Sequence, residues 1–194
     1  MDTVENKEQE KNYKISEATN IGLVRMCPQG EITMLKIRSG IGYDIHRIEK
    51  GTGLYLGGIK ISDQLRFAAH SDGDLLIHAL IDSLLGAIGE KDIGELFPDT
   101  DNRYKNIKST VLLEKTVEIL KKKNFEIINI DSVIIAETPK ISPFKEKIKE
   151  SITSILGICK EDFNLKAKTK EKTGAVGRGE AMECYCVSMV RSMD

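Results

Sequence analysis

No stretch of the 194 residues approaches the roughly 18 consecutive apolar positions of a membrane-crossing helix, so no membrane span is expected and a soluble protein is. An excess of one charge is lacking too. Lysine and arginine number 29 against 30 acids, a net charge of −1, whereas a duplex-binding surface needs a strong basic excess. Nucleic acid is therefore excluded as the main partner. Cysteine is sparse: Cys184 and Cys186 stand two apart in an apparent strand, sharing a face but poorly placed to bond each other. A C-x-C without a second pair is also a weak zinc signal, and buried, reduced thiols are expected at Cys27, Cys159, Cys184 and Cys186. Residues 1 to about 20 lack the apolar core of a signal peptide, and their acids Asp2, Glu5, Glu8 and Glu10 are wrong for a transit peptide. That stretch reads as a flexible polar tail. Internal repeats are absent.

A single domain of this length buries about 70% of its unfolded surface, enough for a core without staples. Folding is expected from Lys36 onward. Lys36 to Tyr43 reads as a strand, and Leu54 to Ile61, broken by Gly57-Gly58, as a kinked or hairpin pair. Asp72 to Ile88 predicts a helix whose apolar residues wrap nearly all round, implying burial on most sides. Ile107 to Lys122 predicts an amphipathic helix, Ile127 to Ala136 an apolar strand, and Pro143 opens a helix running to about Leu156. Asn164 to Thr169 and Ala181 to Val190 supply the last strands. The alternation predicts an α/β fold, one sheet with helices on one face.

All three histidines fall within residues 46 to 78. Asp44 and His46, two apart at a strand end, leave the same face and can reach one ion. His78 lies mid-helix among apolar residues and needs a partner; Asp82, four residues on, could hold its second ring nitrogen. Two histidines and a carboxylate with an open fourth position are the composition of catalytic rather than structural zinc. A satisfied core histidine beside an ordinary strand end is the alternative. In His70-Ser71-Asp72-Gly73-Asp74, Ser71 or Asp72 is a candidate N-cap, and the free N–H groups of a helix start also favour phosphate. If the strand from Leu165 persists to Lys172, Thr169 and Glu171 project together, a hydroxyl beside an oxygen ligand suited to Mg²⁺ or Mn²⁺. Lys166, Lys168, Lys170 and Lys172 then line the other face as a phosphate-attracting or simply solvated edge. Gly174 to Glu180 is not a nucleotide loop, since it lacks the Lys-Ser/Thr ending and leads into a strand; a turn carrying Arg178 as an anion contact fits better.

Taken together, Gly42-Tyr-Asp44-Ile-His46, Leu56-Gly57-Gly58, Ala69 to Asp74, His78-Ala79-Leu80, Asp92-Ile-Gly94, Phe97-Pro98-Asp99-Thr-Asp101 and Gly177-Arg178-Gly179-Glu180 resemble the 2-C-methyl-D-erythritol 2,4-cyclodiphosphate synthases, colinearly over residues 38 to about 192. The resemblance implies a homotrimer of α/β subunits, each with a single mixed sheet, arranged around a three-fold axis with active sites between subunits. It implies conversion of 4-diphosphocytidyl-2-C-methyl-D-erythritol 2-phosphate to the cyclic diphosphate and CMP, in the non-mevalonate route to isoprenoid precursors. By the same resemblance Asp44, His46 and His78 hold Zn²⁺, Glu171 holds Mg²⁺ or Mn²⁺ bridging the diphosphate, and His70 and Thr169 stabilise the transition state. Ser71 joins the substrate contacts. Asp92, Ile93, Gly94, Phe97, Pro98, Asp99, Thr100 and Asp101 face the ribose and erythritol ends. Ala136, Pro139, Lys140, Ile141 and Ser142, with Lys168 and Thr169, form the cytidine pocket. Ala175 and Arg178 fall at further contacts, although the bacterial pattern often has an aromatic residue where Ala175 stands. Residues 1–35 are then an N-terminal tail and 36–194 the catalytic domain, without room for the cytidylyltransferase domain that some relatives carry. The compartment implied is a plastid or apicoplast-type stroma in a eukaryote and the cytoplasm in a bacterium. Rival readings are a metal-dependent phosphodiesterase releasing a linear product, and a structural-zinc or nucleotide-binding module, which needs a fourth protein ligand that is not evident.

Overall fold

The computed structural model describes residues 24–26, 32–34, 36–69, 71–98, 100–104 and 107–193, with side chains from residue 36 on except at 102. Two short strands, β1 (Val24–Met26) and β2 (Ile32–Met34), pair antiparallel within the segment expected to be a tail.

The main sheet is built on β3 (Ile37–Lys50), which runs well past the expected end at Tyr43, so Asp44 and His46 stand inside a long strand. Partners lie in the order β6-β3-β9-β7-β8, with β6 (Leu65–Phe67), β7 (Phe125–Ile135), β8 (Phe163–Lys168) and β9 (Ala181–Ser192). All pairs are antiparallel except β7 with β8, so the sheet is mixed. The three-residue β6 is too short to carry a period-two signature, and sequence reading missed it. β4 (Leu54–Leu56) and β5 (Ile59–Ser62) form the expected hairpin, turned by Gly57 and Gly58 at φ of 59° and 76°, backbone that suits glycine.

The long helices are α1 (Leu75–Ile88), α3 (Ser109–Lys122) and α4 (Lys145–Leu156), with the short α2 (Ile93–Leu96) and α5 (Gly174–Gly177). Pro143 sits in a 3₁₀ turn that leads into α4, rather than opening that helix directly. None of the helices among the described residues is long and apolar enough to cross a membrane. α1 is buried on most sides, as its all-round apolar pattern predicts: Leu75, Leu76, Ile77, Leu80, Ile81, Leu84 and Leu85 are inaccessible. Cys184 and Cys186 face that core as free thiols, whereas Cys159 is exposed, because it lies in the loop after the left-handed Gly157 that ends α4.

α1 crosses β3 in direct backbone contact. A Cβ at Gly42 would stand 2.7 Å from the Ser83 nitrogen and closer still to the Ala79 carbonyl oxygen; one at Gly40 would strike Ser83 and Ala87. Only glycine leaves room there. A Ser83–Ser188 hydroxyl bond ties the same helix to β9. The other face of the sheet carries Ile37, Ile41, Tyr43, Ile45, Tyr185, Val187 and Met189, all exposed in the single chain. Gly42→Ala is expected to lose about 3 kcal/mol in denaturant unfolding, the upper end for an overpacked core, because backbone rather than a movable side chain is struck.

Candidate metal centre

The period of two along β3 and the close approach of α1 place Asp44, His46 and His78 together. One donor atom from each lies within 4.8 Å of the others. Asp44 Oδ2 stands 3.4 Å from His46 Nε2 and 3.1 Å from His78 Nδ1, and the three side chains are 21%, 18% and 15% exposed, sheltered yet open to a ligand. The other oxygen, Asp44 Oδ1, accepts the Ile45 amide at 2.8 Å, which turns Oδ2 toward the histidines.

Hydrogen-bond directions show what this cluster lacks. His46 Nδ1 lies 2.8 Å from the Ile45 carbonyl, an obligate acceptor, so the proton is assigned to Nδ1 and the lone pair to Nε2. That Nε2 is buried and finds no hydrogen-bond partner. A buried lone pair facing a carboxylate and a second imidazole is the environment of a cation. Three donors with an open position match the composition of a catalytic metal site.

The second nitrogen of His78 is not held by Asp82, as sequence spacing predicted. It lies 2.9 Å from Ser109 Oγ at the start of α3. Asp82 Oδ1 instead accepts the Ile93 amide at 2.8 Å, tying the first turn of α2 to the helix that carries His78. Asp72 is not the N-cap of α1 either. Asp74 is: its fully buried carboxylate accepts Ile77 N at 3.2 Å and the Gly57 and Gly58 amides at 2.9 and 2.7 Å. Asp72 turns to Ser109. No local signal pointed to Ser109, which stands 31 residues from its histidine.

The other expected site residues fall into two further groups. Asp92, Ile93 and Gly94 form the capped start of α2, with Asp92 Oδ1 accepting Glu95 N at 2.8 Å. Phe97, Pro98, Thr100 and Asp101 follow, with Asp101 held by Arg103. Ser71 Oγ accepts Gly73 N. His70 and Asp99 lie outside the described residues. The second group gathers at the far edge of the sheet: Ala136, Pro139, Lys140, Ile141 and Ser142 follow β7, and Lys168 ends β8. The strand does not persist to Lys172, because Glu171 and Lys172 turn at φ of 51° and 59°. Thr169 and Glu171 meet all the same, through a hydrogen bond across the turn. Glu171 is not among the grouped donor atoms around Asp44. Ala175 lies on α5, and Arg178 closes that turn in a forked pair with Glu180, both bonds 2.9 Å.

Burial opposes the charge of His78, but the Asp44 carboxylate at its Nδ1, aided by Asp74 and Asp72, outweighs it and raises the imidazolium above its ordinary range. A metal must displace that proton. Zinc uptake by the metal-free protein is therefore expected to release a proton at pH values below the His78 pKa. Its apparent affinity should fall about tenfold per pH unit there and level off above it, as read by competition titration with proton counting.

The sequence profile of the YgbB family matches residues 37–191. Over 159 residues the chain is 46% identical to the 2-C-methyl-D-erythritol 2,4-cyclodiphosphate synthase of Aquifex aeolicus, covering 82% of this chain and 100% of that protein. Over 153 residues it is 48% identical to the bifunctional enzyme IspD/IspF of Aliarcobacter butzleri, covering 79% of this chain but only 41% of that longer protein. The solved IspF of Plasmodium falciparum, in a CDP complex, superposes with a TM-score of 0.72 at 38% identity, covering 81% of this chain and 97% of that one. A profile spanning the whole sheet and its helices, with full-length relatives at this identity, establishes that the chain belongs to the YgbB family of 2-C-methyl-D-erythritol 2,4-cyclodiphosphate synthases.

Proposed function

We propose that this chain converts 4-diphosphocytidyl-2-C-methyl-D-erythritol 2-phosphate to 2-C-methyl-D-erythritol 2,4-cyclodiphosphate and CMP, in the non-mevalonate route to isoprenoid precursors. The observation that carries this reading is the sheltered Asp44–His46–His78 donor set with its unpartnered Nε2, set in a chain of this family. In the reaction an oxygen of the 2-phosphate attacks the β-phosphorus of the same molecule. The bond from that phosphorus to the bridging oxygen breaks, and CMP leaves with that oxygen. No protein nucleophile is needed; the work is positioning and charge neutralisation.

Asp44, His46 and His78 would hold zinc, and Glu171 a Mg²⁺ or Mn²⁺, ions that supply positive charge against the diphosphate. Thr169, once its hydroxyl is released from the Glu171 carboxylate, and His70 are assigned the stabilisation of charge on the reacting phosphates. Asp92 to Gly94 and Phe97 to Asp101 grip the sugar ends, held relative to His78 by the Asp82–Ile93 bond. Ala136, Pro139, Lys140, Ile141, Ser142 and Lys168 take the cytidine. Ser71, Ala175 and Arg178 complete the contacts, and residues 36–194 form the catalytic unit. Incubation with the diphosphocytidyl substrate is expected to release CMP and a cyclic diphosphate, with release stopped by a chelator and lowered at least about 10²–10³-fold in His78→Ala. Linear monophosphates as the only products would favour the phosphodiesterase reading instead.

We also infer that the active site is shared between copies in a homotrimer. Lys168, Ile135, Glu183 and Ile45 lie in one row across the sheet, so the β8 end stands three strand spacings, about 14 Å, from the triad of the same chain. One substrate diphosphate does not span both groups in one chain with metal ions at each end. The exposed apolar face of β3 and β9 offers the surface on which neighbouring copies close that gap. Ile41 is 68% exposed in the single chain, so Ile41→Glu should leave a folded monomer undisturbed. It is expected to abolish trimer formation in sedimentation and CMP release with it, while an active monomer would sink the shared site.

A further inference from the structure

We propose that Ser109 and Asp72 form a relay that fixes the tautomer of His78 and aims its Nδ1 lone pair into the metal centre, a role that rests on the metal reading above and makes Ser109 a positioning residue. The directions follow from the ends of the network. Ser109 N donates to Asp72 Oδ2 at 3.0 Å, and the Ser109 hydroxyl donates to Asp72 Oδ1 in a short bond. A carboxylate only accepts, so both Ser109 protons are committed to Asp72. The Ser109 Oγ therefore turns lone pairs alone toward His78 Nε2, 2.9 Å away. Nε2 must be the donor. In the neutral ring the lone pair is then on Nδ1, the atom 3.1 Å from Asp44 Oδ2 and grouped with the other donors.

Ser109 is fully buried, so no water replaces its oxygen. With alanine there, the Nε2 proton is orphaned, and the tautomer with the proton on Nδ1, facing Asp44, gains ground. That tautomer closes Nδ1 to a metal. Asparagine at position 72 acts similarly, because it offers one acceptor oxygen where Ser109 brings two donors. One of the two loses its partner, and the amide N–H₂ can reverse the hydroxyl. The relay also joins three separate stretches of chain: the loop before α1, the first turn of α1 and the start of α3.

The test uses the full chain, stripped with a chelator and titrated with Zn²⁺ against a chromophoric competitor. S109A and D72N are expected to bind zinc about 10–100-fold more weakly than wild type, with S109T, which keeps the hydroxyl, recovering most of the loss. The absorption bands of the Co²⁺-substituted S109A protein are expected to change as His78 loosens. Wild-type zinc affinity in S109A and D72N overturns the relay, as does an S109T no tighter than S109A. A loss that appears only where circular dichroism shows the metal-free variant unfolded overturns it too. H78A serves as the reference: zinc uptake in wild type that H78A leaves intact overturns the metal reading itself.

Discussion

At Gly40 and Gly42 the long strand turns no side chain toward the helix that crosses it, and the arrangement of the site follows from that contact. Backbone meets backbone there, so α1 lies nearer the sheet than any larger residue would permit. His78, on the helix, comes within reach of Asp44 and His46, which continue the same alternation of the strand beyond Gly42. The helix start is fixed separately by Asp74, whose buried carboxylate gathers the Gly57, Gly58 and Ile77 amides. Burial pushes that carboxyl up, and the amides oppose the shift. A charged cap is kept in the core because three donors converge on it.

Around His78 the charges are arranged to favour a cation. Asp44 faces Nδ1 directly, and Asp72 and Asp74 lie close enough to raise the imidazolium further. In its neutral form His46 offers Nε2 as the lone-pair nitrogen, because its other nitrogen is committed to the Ile45 carbonyl. The metal-free site therefore answers its negative charge with a proton, and a divalent ion takes that place when bound. For a reaction that builds charge on a diphosphate, such a site needs rigidity more than reactive side chains. Ties from Asp82 to Ile93 and from Ser109 to Asp72 hold the triad to the segments on either side.

The meeting of Asp44, His46 and His78 was legible in the sequence for a simple reason. Asp44-x-His46 obeys the two-residue period of a strand, and the apolar run around His78 marks a buried helix that has to satisfy an imidazole. Gly57-Gly58 was equally readable as a turn. Long-range partners were not. Asp82 shares a helix face with His78, yet the fold spends its carboxylate on the Ile93 amide, and the Ser109 that does meet His78 arrives from a helix start whose sequence signals only a helix start. Thr169 and Glu171 were paired on an assumed strand. They do meet, but through a left-handed turn that alternation does not foresee. The β1–β2 ladder and β6, at three residues each, carry too few positions for periodicity to register.

The central claim is that the triad serves a displacement within one substrate molecule and not the attack of a metal-activated water. Carrying out the reaction in H₂¹⁸O and examining the product phosphorus by ³¹P NMR and mass spectrometry tests this directly. Cyclisation takes no oxygen from solvent, so the account predicts a cyclic diphosphate and CMP that are both free of ¹⁸O. Incorporation of ¹⁸O into either phosphoryl product in step with turnover would contradict it.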